Sequence, residues 1–434
     1  MSSSACAPPH RYETPLLASR SYDAIVIGAG PTGLSTAYHL DRNTLLLDSN
    51  AAVGGSCRSL TDRGFVFDNA GHTIFCSDPY VRQLCTLLLR DNIHWQNRAV
   101  SVYSQGTDIP YSAPAGAGNP SAHNLEELIY SMWDEGIADR FSIPYHHKLW
   151  TVPLTEIETS WLGGRMPLAN VHELTDGTLQ PSDPNPLFGY PLRGGIQALM
   201  DGFLPYIRGD IQLNAKVKEV SPTRRVVTLA DGRQFRYRSL ISTMPLPELI
   251  NVMGDYTPAA VRRAAKALRY VSLRCVNLGV ARPAITDKLW TYFPDDTVFH
   301  RVFAQGNASP HCGPDGGFGL TFEISYSPDK PLPADGQALI DRCIADGVRV
   351  GLLRADEKMI TTREIDIPYA YVIHDHPRAR HVSVIRNWLD QYDIFLAGRY
   401  SQWEHFGCDH GFVAGKKAAQ IVKENSYRSH VVGI

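Results

Sequence analysis

Three glycines near the start of the chain have the spacing of a phosphate-binding turn. Gly28, Gly30 and Gly33 stand in the pattern GxGxxG. In such a turn the first glycine permits a tight bend, the second lets the backbone approach a pyrophosphate, and the third lets a helix pack closely on a strand. Asp48 follows twenty residues after Gly28, where a carboxylate that binds a ribose hydroxyl is expected. These four residues predict a dinucleotide site.

The elements around the turn are predicted to be a strand, a helix and a second strand. The run AIVIG is continuously apolar, which is typical of a strand buried on both faces of a parallel sheet. The run LSTAYHL continues as a helix, and NTLLLD forms a strand that ends in Asp48. Glycines alone would also fit a turn without a ligand, but the flanking elements and the acid favour dinucleotide binding.

Later segments favour FAD over a nicotinamide dinucleotide. The stretch AAVGGSCRS, with Gly55 and Arg58, resembles the second fingerprint of the glutathione-reductase-like FAD proteins. In that superfamily, the strands that begin at IQLNAKVKEV lie over the adenosine, with Val217 at the adenine position. The segment DIFLAGRYSQWEHFGCDHGFVAGKK, with Arg399 and Asp409, is then the last piece of the FAD domain.

The predicted fold is therefore α/β, with a Rossmann-like FAD-binding domain, an inserted helical region and a second, mainly antiparallel sheet. The amphipathic segment HNLEELIYSMWDEGIADRF indicates the helical region, and VSLRCVNLGV, LWTYFP and FGLTFEIS indicate strands of the second sheet. The predicted divisions are a disordered leader at 1–20, an FAD-binding domain at 21–78, 190–250 and 375–434, a helical substrate domain at 79–189, and a sheet-containing substrate domain at 251–374.

Composition limits the class of protein. The 434 residues suggest about two to three domains. The net charge of -2 argues against a surface built for nucleic acid or anionic lipid, and no apolar run is long enough to span a bilayer. The eight cysteines include no CxxC pair and suggest no metal framework, which favours reduced thiols and a cytoplasmic location. The oligomeric state stays open, with a homodimer as one option.

Other segments carry a resemblance over nearly the whole chain. The segments GFVFDNAGHTIF, KLWTVP, SWLGGR, WTYFP, FHRVF and LAGRYSQWEH are similar to those of the UDP-galactopyranose mutase family, nearest to its eukaryotic type. The resemblance implies an isomerase that interconverts an NDP-hexopyranose and its NDP-hexofuranose. Reduced FAD would form a covalent adduct with the sugar through N5, and its oxidation state would not change in the reaction. NAD(P)H or another reductant would activate the enzyme.

The resemblance also assigns roles to residues. His72 would lie beside the flavin, Arg165 and Arg301 would hold the diphosphate, and Arg399 would favour the reduced, anionic flavin. The substrate-binding residues that the resemblance implies are Phe141, His146, Trp150, Asn185, Tyr292 and His405. The alternative interpretations are surface ion pairs for the two diphosphate arginines, a turn histidine for His72, and a core tryptophan for Trp150.

Arg399 separates this hypothesis from its main rival. Flavin oxidases of the amine-oxidase type carry an acidic residue after the AG of the last strand, whereas this chain has LAGR. The rival function is an FAD-dependent oxidase or desaturase. A flavoprotein without catalytic activity fits least, because the candidate catalytic positions hold chemically suitable residues.

The chain departs from the family pattern around the expected substrate. The family's PYPFQ segment is PYSAP at 110–114, and a nearby glutamine is replaced by Thr107. The family's asparagine and tyrosine are replaced by His146 and His405, and a further tyrosine by Ala308. A glycine of the histidine loop is replaced by Ala70, which predicts a stiffer loop. Because changed hydrogen bonds alter selectivity strongly, we expect a donor other than UDP-galactose.

Overall fold

The computed structural model describes residues 20–41, 43–75, 78–110, 118–119, 121–162 and 187–431. Residues 1–19 of the predicted leader lie outside this range, and Arg20 begins the first strand. Arg165, Asn185 and residues 111–114 of the altered PYSAP segment also lie outside the described residues. No helix of the described part is long and apolar enough to cross a bilayer.

Strands and helices are numbered along the described residues. The strands are β1 Arg20–Ile27, β2 Thr44–Leu47, β3 Ser59–Asp62, β4 Phe65–Asp68, β5 Ile93–Asn97, β6 Val100–Ser104, β7 Thr107–Pro110, β8 Leu187–Pro191, β9 Asp210–Gln212, β10 Val217–Ser221, β11 Val226–Leu229, β12 Gln234–Ser242, β13 Tyr270–Val280, β14 Trp290–Tyr292, β15 Arg301–Ala304, β16 Phe318–Tyr326, β17 Met359–Val372 and β18 Ile394–Leu396. The α-helices are α1 Pro31–His39, α2 Pro79–Leu89, α3 Leu125–Met132, α4 Glu135–Ile137, α5 Ile143–Trp150, α6 Gln197–Asp201, α7 Leu246–Met253, α8 Ala259–Lys266, α9 Gln305–Ala308, α10 Gln337–Arg349, α11 Arg378–Leu389, α12 Arg399–Gln402 and α13 Cys408–Val431.

The first sheet contains the predicted parallel strands. Its order within the described residues is β10-β11-β12-β1-β2-β9, and β18 pairs with the second half of β12. Strand β1 runs parallel to both neighbours, with Ile25 opposite Leu240 on one side and Leu45 on the other. The carboxyl ends of β1, β2, β12 and β18 therefore meet at one edge, which is where ligands bind in open parallel sheets.

Strand β1 is buried on both faces, as its continuous apolar run predicts. Ile25 and Ile27 belong to one apolar cluster, which α7, α8 and α11 cover. Ala24 and Val26 belong to a second cluster on the opposite face, which α1, α2, α6 and α13 cover. Fully burying one such large aliphatic side chain contributes about 1.5–3 kcal/mol, so the layers around β1 fix the glycine turn that follows it.

The second sheet is mainly antiparallel, as predicted. Its order within the described residues is β17-β13-β16-β15-β14-β6-β7, and of these pairs only β14 and β6 are parallel. The predicted strands VSLRCVNLGV, LWTYFP and FGLTFEIS correspond to β13, β14 and β16.

The region predicted to be helical also contains strands. The amphipathic segment forms α3, α4 and most of a π-helical turn at Ala138–Ser142, and α5 follows it. Asp134 caps α4 after the end of α3. In the same region β6 and β7 extend the second sheet, and β5 pairs with β8. Val100 and Val102 of β6 are buried in the core beside the helices. The division of the chain into three substrate and cofactor domains stays a prediction.

Candidate cofactor and substrate site

The glycine turn is tightly packed at two of its three positions. Gly28 has a φ of +101°, and a Cβ there would lie 2.2 Å from Thr243 Oγ1. A Cβ on Gly33 would lie 1.7 Å from the carbonyl oxygen of Gly28, which is a main-chain atom and cannot turn away. These two glycines are therefore required by the backbone itself, in agreement with the bend and the helix packing predicted from the spacing.

Gly30 is less tightly packed than the other two glycines. A Cβ on Gly30 would lie 3.8 Å from the Cα of Gly55, the nearest atom. Gly30 is also the N-cap of α1, and no side chain caps that helix end or places an acid in its first turn. We call the space between Gly30, Gly55 and the start of α1 the glycine cleft. Because the N-terminus of a helix favours anions, this cleft is where a pyrophosphate is expected.

Two further predicted cofactor residues, Asp48 and Arg58, lie in loops near the glycine turn. Asp48 is buried, and its carboxylate accepts hydrogen bonds from the backbone N–H groups of Ala29 at 2.7 Å and Asn50 at 2.8 Å. Arg58 Nε donates to the Gly55 carbonyl at 3.0 Å. The Asp48 contacts join the end of β2 to the turn, and the Gly54 N–H, which donates to the Ala29 carbonyl at 2.7 Å, joins the second glycine loop to the turn. Asp48 therefore helps to stabilise the turn.

Val217 and Asp409 were predicted by resemblance alone. Val217 is buried in β10 and belongs to the apolar cluster on one face of the first sheet. Asp409 lies in the first turn of α13 and forms an ion pair with His410 at 3.2 Å. Their roles in cofactor binding stay predictions.

We expect the substitutions Gly30→Ala and Gly33→Ala to have separate effects. Gly33→Ala should destabilise the protein, because its Cβ would overlap a main-chain oxygen. Gly30→Ala should fold normally, since its φ of -77° suits alanine, but its methyl group would enter the glycine cleft and weaken dinucleotide binding. Thermal unfolding of the apoprotein and the flavin content after purification measure the two effects. Full flavin content in Gly30→Ala would contradict the position of the pyrophosphate.

His72 lies in a loop that three main-chain features hold in place. Ala70 has a φ of +68°, so this alanine occupies the left-handed region that favours glycine. Gly71 has no room for a side chain, since a Cβ would lie 2.7 Å from Trp290 Nε1. Its N–H donates to Glu323 Oε1 at 3.0 Å, and His72 Nδ1 lies 3.1 Å from the Ala70 carbonyl oxygen.

The charge on His72 depends on its neighbours. Burial alone lowers the pKa of His72, but the charge and hydrogen bond of Cys57, together with the charge of Asp68, outweigh burial and raise the pKa to about 9. An unfolded histidine titrates near ~6.5. Protonation of His72 therefore stabilises the folded protein. This stabilisation is complete below pH ~6.5 and is lost as the pH rises through about 9.

We expect Cys57→Ser to lower the pKa of His72 substantially. The hydroxyl of serine stays neutral, so the charge that opposes burial would be removed. The titration is followed by NMR on protein with nitrogen-labelled histidine, and the His72 signal is assigned by its absence in His72→Gln. In Cys57→Ser the pKa of His72 should be well below that of the wild-type protein, towards or below ~6.5. Cys343→Ala, at a buried cysteine on α10, is the matched control. An unchanged titration in Cys57→Ser would show that the thiol does not set the charge.

Arg301 and Glu323 form a buried ion pair between neighbouring strands. Arg301 is opposite Glu323 in the pairing of β15 and β16, and Arg301 Nη2 donates to Glu323 Oε2 at 2.7 Å. Both side chains are almost completely buried. Since the other oxygen of Glu323 accepts the Gly71 N–H, one carboxylate connects the predicted diphosphate arginine to the histidine loop.

Arg399 lies at the start of α12, directly after the last parallel strand. Gly398 has a φ of +86°, and a Cβ there would lie 2.4 Å from Thr32 Oγ1, so this chain segment packs on the beginning of α1. Arg399 Nη1 donates to the Phe406 carbonyl at 3.0 Å, whereas its buried Nε has no hydrogen-bond partner among the described residues. No carboxylate of the described residues forms an ion pair with Arg399, so its charge is available to an anionic ligand.

Tyr371 of β17 lies between the two arginines. Its hydroxyl oxygen accepts a 3.4 Å hydrogen bond from Arg301 Nη2, and the Arg399 guanidinium lies 5.3 Å from its ring centre. His405 stacks on the same ring at 6.3 Å and lies 3.4 Å from Arg399 Nη2. Trp150 is 6.1 Å from Tyr371. We call these five residues, Arg301, Arg399, Tyr371, His405 and Trp150, the arginine pocket.

A second group of predicted residues surrounds Tyr145 of α5. Tyr292 is directly opposite Arg301 in the pairing of β14 and β15, and its ring centre lies 5.1 Å from that of Tyr145. Phe141 lies 6.0 Å from the same ring. His146 is buried with Nδ1 2.6 Å from the Ser142 carbonyl oxygen, and burial lowers its pKa to about 4, so it is neutral at pH 7. The pairing of β14 with β15 brings this group beside the arginine pocket.

Several residues of the site were missed by sequence reasoning. They are Glu323, Tyr371 and Tyr145, together with Trp161, which lies 5.5 Å from His405, and Arg98, which is buried between the rings of Phe75 and Trp290. Glu323 had a usable signal, since a charge within the apolar run FGLTFEIS needs a buried partner. Within the part of the chain that is described, no three His, Cys, Asp or Glu side chains are grouped to hold a metal.

Comparison with known proteins identifies the fold. A sequence model of the NAD(P)-binding Rossmann-like domain matches residues 26–88, and that of the flavin containing amine oxidoreductases matches residues 142–332. A crystal structure of reduced UDP-galactopyranose mutase has a TM-score of 0.82 and 24% identity, covering 93% of this chain and 96% of that chain.

Two further solved structures share the fold at lower similarity. Cyclohexylamine oxidase from Brevibacterium oxydans IH-35A has a TM-score of 0.69 and 14% identity over 94% of this chain and 99% of its own. A CLA-producing fatty acid isomerase from P. acnes has a TM-score of 0.65 and 13% identity over 93% of this chain and 98% of its own. The predicted fold class is therefore confirmed, and the chain has the fold of a flavin-dependent enzyme.

Proposed function

We propose that this protein is a flavin-dependent nucleotide-sugar mutase that interconverts an NDP-hexopyranose and its NDP-hexofuranose. The observation that carries the proposal is Arg399, whose positive charge has no carboxylate partner among the described residues and whose buried Nε has no hydrogen-bond acceptor. A diphosphate that leaves and returns, or an anionic reduced flavin, would supply the missing acceptor.

The charge balance of the arginine pocket supports an anionic ligand. Glu323 offsets the charge of Arg301, so the guanidinium of Arg399 gives the described pocket its positive charge. Arg301 keeps a fixed orientation because Glu323 and Tyr371 both accept its hydrogen bonds. Arginine is suited to this task because its planar group can donate two parallel hydrogen bonds to phosphate oxygens. Arg165 is proposed as a further diphosphate ligand from the family resemblance.

FAD is the cofactor that the described residues fit. The glycine cleft could accept its pyrophosphate, and Asp48 lies where a ribose hydroxyl is expected. Reduced FAD, when bound, supplies the nucleophile for the anomeric carbon of the sugar. In this assignment His72 carries a positive charge at pH 7, because its pKa is raised to about 9.

The aromatic residues would bind the sugar and exclude water. Trp150, Tyr371 and His405 present ring faces within 6.3 Å of one another, and Tyr292 and Tyr145 form an edge contact nearby. Such faces pack against the C–H groups of a pyranose and lower the local dielectric around the arginines. Because His146 and His405 replace polar residues of the family, we propose a donor other than UDP-galactose.

The second candidate is an FAD-dependent oxidase or desaturase. It is supported by the match of residues 142–332 to the flavin containing amine oxidoreductases. A cationic amine substrate would meet repulsion from Arg399, because no carboxylate of the described residues pairs with that guanidinium. The charge of the pocket therefore favours the mutase.

The test is a comparison of reduced and oxidised protein on a panel of UDP-, dTDP- and GDP-linked hexopyranoses and 6-deoxyhexoses. After reduction with dithionite or NAD(P)H, we expect furanose products with no stoichiometric consumption of reductant, and no turnover by the oxidised protein. Product separation by chromatography and flavin absorbance measure both quantities. Consumption of one reductant per product, or formation of peroxide with an amine under air, would contradict the mutase function and support the oxidase function.

A further inference from the structure

A partly buried lysine joins two chain segments that carry predicted substrate residues. Lys148 lies in α5, two residues before Trp150, and its Nζ contacts the connection between β14 and β15. This connection, residues 293–300, begins directly after Tyr292 and ends directly before Arg301. We propose that Lys148 is a positioning residue, whose ammonium group holds the connection against α5 and thereby fixes Tyr292 and Arg301. Its importance for catalysis rests on the proposed function.

The contacts of Lys148 use all three of its donors. Lys148 Nζ donates to the Phe293 carbonyl at 2.7 Å, to the Asp295 carbonyl at 2.8 Å and to Thr297 Oγ1 at 2.9 Å. An ammonium group has three N–H donors and no acceptor, so these three oxygens satisfy it completely. Phe293 and Thr297 are buried, so removal of the ammonium group would leave buried oxygens without this donor, which is costly.

The connection is a compact turn whose position determines that of Arg301. The Phe293 N–H donates to the His300 carbonyl at 2.8 Å, which continues the pairing of Tyr292 with Arg301 by one residue on each side. The rings of Phe293 and Phe299 form an edge contact at 4.9 Å. Since Tyr292 and Arg301 directly flank this turn, a shift of the connection would move both residues.

Other contacts of the connection lead to elements other than α5. The Asp295 carboxylate accepts the Gln105 N–H at 2.7 Å, at the turn between β6 and β7. The Val298 N–H donates to the Asp346 carboxylate of α10 at 2.7 Å. Neither contact involves α5, so the position of the connection relative to that helix depends on Lys148 and on the neighbouring rings.

The part of α5 around Lys148 is itself held in place. Lys330 Nζ donates to the Lys148 carbonyl at 3.1 Å, near the end of the helix. Tyr145, three residues before Lys148, lies on the same side of α5, and its ring centre is 5.1 Å from that of Tyr292. Lys148 therefore adds hydrogen bonds to a contact between rings. Glu323 orients the side chain of Arg301, whereas Lys148 acts on the main chain that precedes it.

The ammonium form of Lys148 dominates below pH 7. Burial, together with the charge of Lys330, lowers the pKa of Lys148 to about 7, and the charges of Asp295, Asp296 and Asp346 oppose this effect. The neutral amine would have two N–H donors for the same three oxygens. The contact is therefore best measured below pH 7.

Hydrogen exchange of the flavin-loaded protein below pH 7, followed by mass spectrometry without any nucleotide sugar, tests the contact. Lys148→Met removes the ammonium group and keeps an unbranched side chain. We expect peptides covering residues 293–300 to exchange ~10-fold faster or more, because three charge-assisted hydrogen bonds are lost. Thr297→Val removes one acceptor with little change of shape, so it should fold even if Lys148→Met does not, and should give a smaller increase. Lys423→Met is the matched control, because its 3.8 Å ion pair with Asp41 is largely exposed and lies on α13.

A double-mutant cycle tests whether Lys148 acts through Arg301. Lys148→Met should lower kcat/KM for the nucleotide sugar by ~10-fold or more in the wild-type background, with unchanged flavin content. In an Arg301→Lys background the same change should cost only ~3-fold or less, because the guanidinium that Lys148 positions is already absent. A lysine needed only for folding would cause the same fold loss in both backgrounds.

Two results would overturn the proposal. One is wild-type exchange of residues 293–300 in both Lys148→Met and Thr297→Val, and the other is an equal fold loss of kcat/KM in the two backgrounds. The exchange measurement does not depend on turnover. A wild-type protein that converts no nucleotide sugar, but whose connection loses protection in Lys148→Met, would exclude the mutase function and support Lys148 as the residue that holds the connection.

Discussion

Arg399→Glu is expected to reduce the proposed mutase activity strongly while leaving the protein folded. The substitution replaces the only cation of the described arginine pocket that has no carboxylate partner with an anion. Loss of one charge-assisted hydrogen bond costs about 1.5–3 kcal/mol, or ~10–150-fold in kcat/KM, and the repulsion from the new carboxylate adds to this loss. The structure should tolerate the change, since the Arg399 side chain is only partly buried.

Two measurements distinguish this effect from general damage. The reduction potential of the bound flavin should fall by ~30–60 mV, because ~1.4 kcal/mol corresponds to ~30 mV for a two-electron couple and the anionic reduced form loses its counter-charge. Arg399→Lys keeps the positive charge, so the reduction potential of the flavin should stay close to the wild-type value. Its loss of kcat/KM should be smaller than that of Arg399→Glu. An Arg399→Glu protein with wild-type potential and kinetics would place the flavin and the diphosphate elsewhere.

The parts of the site that sequence could predict are those set by local spacing. Gly28, Gly33 and Asp48 lie within one strand-turn-helix-strand unit, so their contacts follow from a pattern of about twenty residues. The first sheet could be predicted for the same reason, because continuous apolar runs such as AIVIG indicate strands buried on both faces.

The missed residues depend on pairings between distant segments. Tyr371 reaches the site because β17 is paired with β13, a strand about a hundred residues earlier in the chain. No local pattern specifies which side chains become opposite one another in such pairings. The strands β5, β6 and β7 were missed because short segments between amphipathic helices give a weak periodic signal.

Glu323 is expected to have the largest effect on stability of any single residue in the site. Glu323→Ala would remove the acceptor of two hydrogen bonds from Arg301 and of the Gly71 N–H. Breaking a buried ion pair by removing one partner costs about 3–5 kcal/mol, because the buried guanidinium loses the carboxylate that offsets its charge. The change should also weaken activity, since the histidine loop and Arg301 would both lose the carboxylate that orients them.

A double substitution separates the charge from the packing. Arg301→Met with Glu323→Leu replaces the ion pair with apolar side chains of similar size and should recover much of the lost stability, although not the activity. Denaturant unfolding followed by flavin fluorescence and circular dichroism provides the comparison. Glu219→Ala is the control, because its partner Arg224 is 3.5 Å away and both side chains are exposed, so a cost of only about 0–1 kcal/mol is expected. If Glu323→Ala were as mild as Glu219→Ala, the buried carboxylate would not be what holds Arg301 and the histidine loop together.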